Sequence, residues 1–460
     1  MVQCHADRIK GILLIGTDGG KRKLYFERAA GEAGIPVAFL DWRDLLRPER
    51  EEEPCLEPRK AAYPLGCRGQ GEEPDSEEAG VGCQAGEVLG RRTEEGLRSR
   101  VGESLGQQAG ESLGHRTEGD LRSRVGESLG QQAGESLWHR TEGDLRSRVG
   151  ESLRQQAGEG LWHGTEGDLR RWAVKIDAPE WESSGLMDLG KLTDRYVEWL
   201  NRLSRLPAGF FLNDPTDIAE VLDKRRCKER LVQKGVPVTH MYGESFSHSE
   251  ELFAFMREHR LGQVFVKPLR GSGAAGVAAL RYSPGNGRLA LYTCAALEED
   301  GIFNTKRMRR MEGREGAALL DKLLKLDCVV ERWYGKETFQ GYCYDLRVIV
   351  QGGQIDYILP RLSKGPITNL HLNNRSMEFT DLNLDKRTVE RISEVCLKAG
   401  ECYPRVKSIG MDVLLERGSR SPRVIEMNAQ GDLLHRDVYG ENRIYRRQIR
   451  MMTELQENIH

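Results

Sequence analysis

Apolar positions at the start of the chain switch between two periods. Residues 10–15 (KGILLI) form a short β-rich run, 16–20 (GTDGG) a turn, and 22–33 a helix-like stretch with Leu24, Phe26, Ala29 and Ala30 toward one side. Gly34-Ile35-Pro36 ends that stretch, and residues 37–40 return to a strand. This β–α–β opening predicts a parallel sheet. Strand-like alternation resumes only at 172–178 (WAVKIDA). An amphipathic helix follows over 189–206, with Leu192, Tyr196, Leu200 and Leu203 at helical spacing, and then a short strand at 210–212. Further on, the pattern predicts a helix over 216–234 and β runs at 264–266, 329–330, 344–350, 355–359, 410–414 and 423–428. The pair Gly352-Gly353 between two of these runs marks a hairpin.

Between the first and second groups of elements the composition changes entirely. Residues 101–124 (VGESLGQQAGESLGHRTEGDLRSR) recur almost unchanged as 125–148 and again, degraded, as 149–172, a period of 24 residues, with a partial copy at 89–100. Each unit carries glycine, serine, glutamine and mixed charges but few residues to bury, too few to offset the cost of ordering the chain. The stretch therefore reads as a flexible or loosely helical insertion, in preference to a solenoid, that interrupts one small α/β domain and offers a surface for a protein partner. No residue in it has a catalytic signature.

Composition narrows the classes. With 460 residues there is length for two or three domains; hydrophobic content of 38% and 52 glycines fit a partly unpacked chain. A formal net charge of −2 offers no field for nucleic acid or an acidic membrane surface, and no apolar run approaches the roughly 20 residues needed to span a bilayer. The opening 16 residues lack a small-residue cleavage site and read as a strand rather than a signal. Ten scattered cysteines form neither a zinc pattern nor a disulfide framework, which places the chain in a reducing cytoplasm.

The chemistry concentrates in the last half. Residues 264–277 (VFVKPLRGSGAAGV) read as a strand ending in Lys267 and a glycine-serine loop, either a plain turn or a cradle of backbone N–H groups for phosphate. Lys224 stands in the helix about forty residues earlier. Asp412, Glu426 and Asn428 are oxygen donors on two β runs, and Glu426 and Asn428 share one face by the period of a strand. Such hard donors suit Mg2+, with phosphates and water completing its shell. The loop GTDGG lacks the full spacing of a dinucleotide or P-loop fingerprint.

Taken in order, Asp223-Lys224, the 264–277 loop, Val330-Glu331-Arg332-Trp333, Asp345-Leu346-Arg347, Arg361, Asn369-Leu370-His371, Gly410-Met411-Asp412-Val413 and Ile425-Glu426-Met427-Asn428 resemble the ATP-grasp superfamily. The RimK-type carboxylate–amine ligases are the nearest pattern, and the resemblance spans 213–432, about half the chain. It implies an α/β (α+β) class: an ATP-grasp domain over 216–460, preceded by a small parallel α/β domain (1–64 and 173–215) with the repeats inserted at 65–172. It implies ATP with Mg2+ or Mn2+ and a reaction that joins a carboxylate to an amine through an acyl phosphate, on a peptide or small metabolite. By motif, Lys224 and Lys267 contact phosphates, with Lys267 and Arg361 serving the transfer itself. Gly271, Ser272, Gly273 and Gly276 form a lid, and Glu331, Arg332 and Trp333 the adenine hinge. Glu337 is the candidate ribose acid. Asp412, Glu426 and Asn428 hold metal, while Arg347, Asn369 and His371 lie on the substrate side. After Asn428 the chain departs from the pattern (AQGDLLH), so His435 and Arg436 read either as ligands for a substrate carboxylate or as polar residues at a helix start. A nucleotide-binding scaffold and a phosphotransferase on the same fold are the alternatives.

Overall fold

The structure, a computed structural model, describes residues 9–46, 147, 149, 169–181, 183–271, 273–372, 374–431 and 433–454. All belong to one compact unit, Met1–Arg47 with Thr141–His460; the second unit, Pro48–Arg140, lies outside the described residues, as does most of the predicted repeat insertion.

Four parallel strands make the first sheet: β1 (Gly11–Gly16), β2 (Val37–Asp41), β3 (Trp172–Ile176) and β4 (Phe210–Phe211), in the order β2-β1-β3-β4. The unbroken apolar run of β1 has a physical cause, since the strand is buried on both faces. Leu13 and Ile15 join the core with Tyr196, Leu200 and Leu203 of the helix Leu186–Leu203. Ile12 and Leu14 face Phe26, Ala29 and Ala30 of the helix Lys21–Glu32 and Ile444 of the helix Arg443–Glu454. Val149 and Leu169, both inside the third 24-residue unit, are buried in the first of these cores.

The second sheet is antiparallel: β5 (Gln263–Pro268), β6 (Ala278–Tyr282), β7 (Leu289–Glu298), β8 (Gly301–Glu312) and β9 (Cys328–Arg332), ordered β8-β7-β6-β5-β9. The helices Ser249–Glu258 and Gly313–Leu324 share its core through Leu252, Met256, Leu319 and Leu323. The third contains β10 (Thr338–Phe339), β11 (Tyr342–Gln351), β12 (Gln354–Ser363), β13 (Arg375–Ser376), β14 (Ser408–Leu415) and β15 (Pro422–Asn428), ordered β13-β12-β11-β14-β15 with β10 on β11. The hairpin predicted at Gly352-Gly353 is present, and its φ values of 55° and 75° are the left-handed pair that a two-residue turn requires. Along β11, Leu346, Val348 and Val350 enter the core beneath the helix Lys386–Glu401. The alternate positions Asp345 and Arg347 therefore stand on the opposite face.

The predicted single helix over 216–234 is two: Pro215–Leu222 and Lys224–Gln233. Asp223 divides them because its extended backbone ends the first, and its carboxylate accepts from the N–H groups of Arg225 and Arg226, each at 3.0 Å, to cap the second. Lys224 thus opens a helix instead of riding mid-helix on a solvated face. The segment after this helix ties two sheets together, with Val238 bridging to Val424 of β15 and Met241 to Glu331 of β9. No helix among the described residues is long and apolar enough to cross a membrane.

Candidate active site

Two charge clusters meet where the second and third sheets adjoin. The first surrounds Glu331, which is only 1% exposed near the end of β9. In the β5–β9 ladder Phe265 lies opposite Glu331 and Lys267 opposite Val329, so Lys267 and Glu331 are diagonal neighbours on one face. Lys267 Nζ donates to Glu331 Oε2 at 2.8 Å, and Thr239 Oγ1 donates to the same oxygen at 2.9 Å. Lys228 Nζ lies 2.6 Å from Oε1 and donates to Thr239 Oγ1 at 2.6 Å. Burial alone would push the Glu331 carboxyl up, but the ammonium groups of Lys228 and Lys267 outweigh it and hold it down at about 2. For Lys228 burial is the larger influence; even with Glu331 opposing, it brings the ammonium down to about 8.

The depressed carboxyl has a consequence for acid stability. A group whose folded value lies below its ordinary 4.5 contributes stability that is complete above that pH and lost as pH falls toward about 2. The expected contribution is about 3 kcal/mol. Unfolding free energies from urea denaturation of the parent and Glu331→Gln between pH 6 and 2.5 should diverge by most of this amount, while parallel pH dependences would contradict the pairing.

The second cluster lies across the third sheet. Asp345 of β11 is opposite Arg361 of β12, and Arg347 of β11 is opposite Asp412 of β14. Arg361 donates from Nε to Asp345 Oδ1 at 2.8 Å and sets Nη2 2.9 Å from Asp412 Oδ2. Arg347 pairs with the other oxygen of Asp412. Lys336 Nζ donates to Asp345 Oδ2 at 3.3 Å and to Thr368 Oγ1 at 2.7 Å, and Thr368 donates to Asp345. Burial pushes both carboxyls up, yet the facing cations more than reverse it and both lie well below the usual range. Arg361, although burial opposes its charge, is held cationic by the same two carboxylates.

Lys224 joins the clusters. Its ammonium donates to the Gly271 carbonyl at 3.1 Å and stands 3.8 Å from Glu426 Oε1, and Glu426 of β15 is the cross-strand neighbour of Asp412. Along β15, Asn428 shares the face of Glu426, opposite Gly410. Gly431 is pressed against this row: a Cβ there would meet Arg347 Nη2 at 2.6 Å. The glycine loop leaves β5 with Gly271, Gly273 and Gly276 all at positive φ, and a Cβ on Gly276 would meet Pro268 at 2.8 Å. Ser272, expected at its tip, lies outside the described residues.

The remaining predicted positions are more dispersed. Arg332 and Trp333 follow Glu331 at the end of β9. The Arg332 N–H donates to the His240 carbonyl at 2.9 Å, its guanidinium lies over Tyr334, and the Trp333 ring packs 5.1 Å from Phe265 beneath Arg281. Glu337 turns away from the lysines. Its carboxylate accepts from the Gly418 N–H at 2.7 Å and stands 3.7 Å from Arg420, at the β14–β15 turn. Asn369 follows Thr368 and accepts from Asn374 through its carbonyl at 2.9 Å; the His371 side chain lies outside the described residues. His435 stacks on Tyr439, whose hydroxyl accepts from Lys21 at 3.2 Å, so its neighbours are at the start of the helix Lys21–Glu32 instead of in the lysine cluster. Arg436 is taken by Glu378 and Ser376.

Sequence reading gave no role to Lys228, Thr239, Lys336, Asp345 or Thr368. Two of these had a signal. Lys228 is one turn from Lys224 and so shares its helix face, and Asp345 is two residues from Arg347 and so shares its strand face. Lys336 and Thr368 come from irregular segments, where no period announces a direction.

Acceptable metal chemistry is present in part. Glu426 and Asn428 are hard oxygen donors side by side, whereas both oxygens of Asp412 already face guanidinium groups.

No family model matches this chain, and no curated protein was found to match it. Among solved structures it is similar to the D-cycloserine synthetase DcsG, at 12% identity over 61% of this chain and 84% of that one, with a TM-score of 0.40. It is also similar to the ATP-grasp ligase PsnB complexed with precursor peptide PsnA2 and AMPPNP (13% identity, 97% and 98% of the two chains, TM-score 0.41). Biotin carboxylase from Campylobacter jejuni is a third (12%, 97% and 72%, TM-score 0.49).

Proposed function

We propose that the chain is an ATP-dependent carboxylate–amine ligase on an ATP-grasp fold, acting on a peptide or small metabolite. One observation carries the reading: across the two linked clusters six cationic side chains face four carboxylates, an excess of two positive charges in a largely buried seam. A seam of that kind suits a polyphosphate, whose charge it would offset in a region where water screens little.

In this reading Lys224 and Lys267 hold the phosphates from a helix start and a strand end, and the loop after Lys267 covers them. Glu426 and Asn428 would hold Mg2+, with Asp412 beside them fixed by Arg347 and Arg361; the ion supplies further charge neutralisation on the phosphoryl oxygens. A carboxylate oxygen of the donor attacks the terminal phosphorus, and the bond to ADP breaks. The amine nitrogen then attacks the acyl carbon, phosphate leaves with the C–O electrons, and the amide forms with loss of a proton. The cationic seam stabilises charge at both stages, and exclusion of water protects the acyl phosphate.

The test is incubation of the full chain with ATP, Mg2+ and a pool of peptides and metabolites, followed by nucleotide analysis and mass spectrometry. ADP, phosphate and a condensed product lighter than its parts by one water are expected. AMP with pyrophosphate would overturn the acyl-phosphate route, and phosphate found on the product would favour a phosphotransferase.

A further inference from the structure

We propose that Lys228 is a positioning residue of the nucleotide site: it occupies one oxygen of Glu331 so that Lys267, on the other, retains positive charge for phosphate. The inference rests on the nucleotide site proposed above and adds a residue that the motif order does not include.

The geometry is a shared anion. Glu331 offers two oxygens, and the two ammonium groups divide them at 2.6 and 2.8 Å, with Thr239 bridging. Lys228 is 5% exposed and Lys267 6%, so neither charge is relieved by bulk water. With Glu331 and Lys267 alone the pair would be neutral, and Lys267 would gain little by turning to a phosphate. With Lys228 present, the trio carries one positive charge in excess. Lys267 can then leave Glu331 for a phosphoryl oxygen without stranding a buried carboxylate, because Lys228 and Thr239 remain on it. Lys228 never needs to touch the ligand.

The groups that face Lys228 define what sets its charge. They are Glu331 on β9, Lys267 on β5, Thr239 in the connecting segment and, at longer range, Glu426 on β15; on its own helix Lys224 lies one turn before it and Cys227 beside it. Its ammonium is brought down to about 8, so the excess charge is present at neutral pH and lost in mild alkali.

The test is calorimetric titration of the full chain with Mg·AMPPNP, for the parent, Lys228→Met, Lys228→Arg and Lys267→Met, with thermal melting of each. Lys228→Met should weaken binding roughly tenfold, the scale of one unit charge removed from behind the phosphates. Lys228→Arg should restore affinity to within about twofold, and should also remove the loss of affinity expected of the parent above about pH 8. A folded Lys228→Met chain that binds like the parent overturns the inference, as does a folded Lys228→Arg chain that binds as weakly as Lys228→Met. Should Lys228→Met fail to fold, the alkaline limb decides: its absence in the parent, or its persistence in Lys228→Arg, overturns the proposal. If the parent binds no nucleotide while melting cooperatively, the site reading itself falls and takes this inference with it.

Discussion

Replacing Lys267 by Met should lower kcat/KM for ATP by about a thousandfold, the scale of losing one preorganised electrostatic contact to a charge that develops in the transition state. The chain should nevertheless stay folded. Glu331 keeps Lys228 at 2.6 Å and the Thr239 hydroxyl at 2.9 Å, so no buried carboxylate is abandoned. The methionine replaces a mostly apolar stem of similar length. Initial rates of ADP release paired with a melting curve check both halves. Turnover within tenfold of the parent would remove Lys267 from the phosphate contacts, and loss of the cooperative melt would recast it as structural.

The second large effect concerns stability. Asp345→Ala should cost about 3–5 kcal/mol, the range for breaking a buried ion pair from one side. Asp345 is 2% exposed and receives Arg361, Lys336 and Thr368 together; without it the buried Arg361 and the half-buried Lys336 lose a partner. Asp345→Asn, which retains hydrogen-bond acceptance without charge, should recover part of the loss. Urea denaturation distinguishes these cases, and a cost below about 1 kcal/mol for the alanine variant would mean that solvent reaches the cluster.

Legibility differed with the physics behind each element. β1 and the helix after it could be read because a strand buried on both faces is a plain apolar run and its covering helix needs an apolar stripe. The Gly352-Gly353 hairpin could be read because its backbone demands positive φ. Asp223 deceived the reading: an aspartate between helix-forming residues fits a helix in propensity, yet its side chain competes for the backbone N–H groups ahead and starts a new one. Strands β6 to β8 and the helices Ser249–Glu258 and Gly313–Leu324 were not predicted; their apolar positions share one core assembled from segments distant in the sequence. At the site, motif order pointed to Lys224, Lys267 and Asp412. It could not indicate who their partners are, because Lys228–Glu331 and Arg361–Asp412 are contacts between elements, set by sheet register and not by local spacing.

The first sheet pairs its central strand β1 with β3, across everything between Asp41 and Trp172, and Val149 is an anchor well along that path. Gly11 lies opposite Trp172, so the pairing joins positions far apart in sequence, and pairings of that kind are slow to form during folding. Val149 and Leu169 fill part of the core on which β1 and β3 rest, so the third repeat copy, unlike a sequence free to drift, is held to the packing it completes.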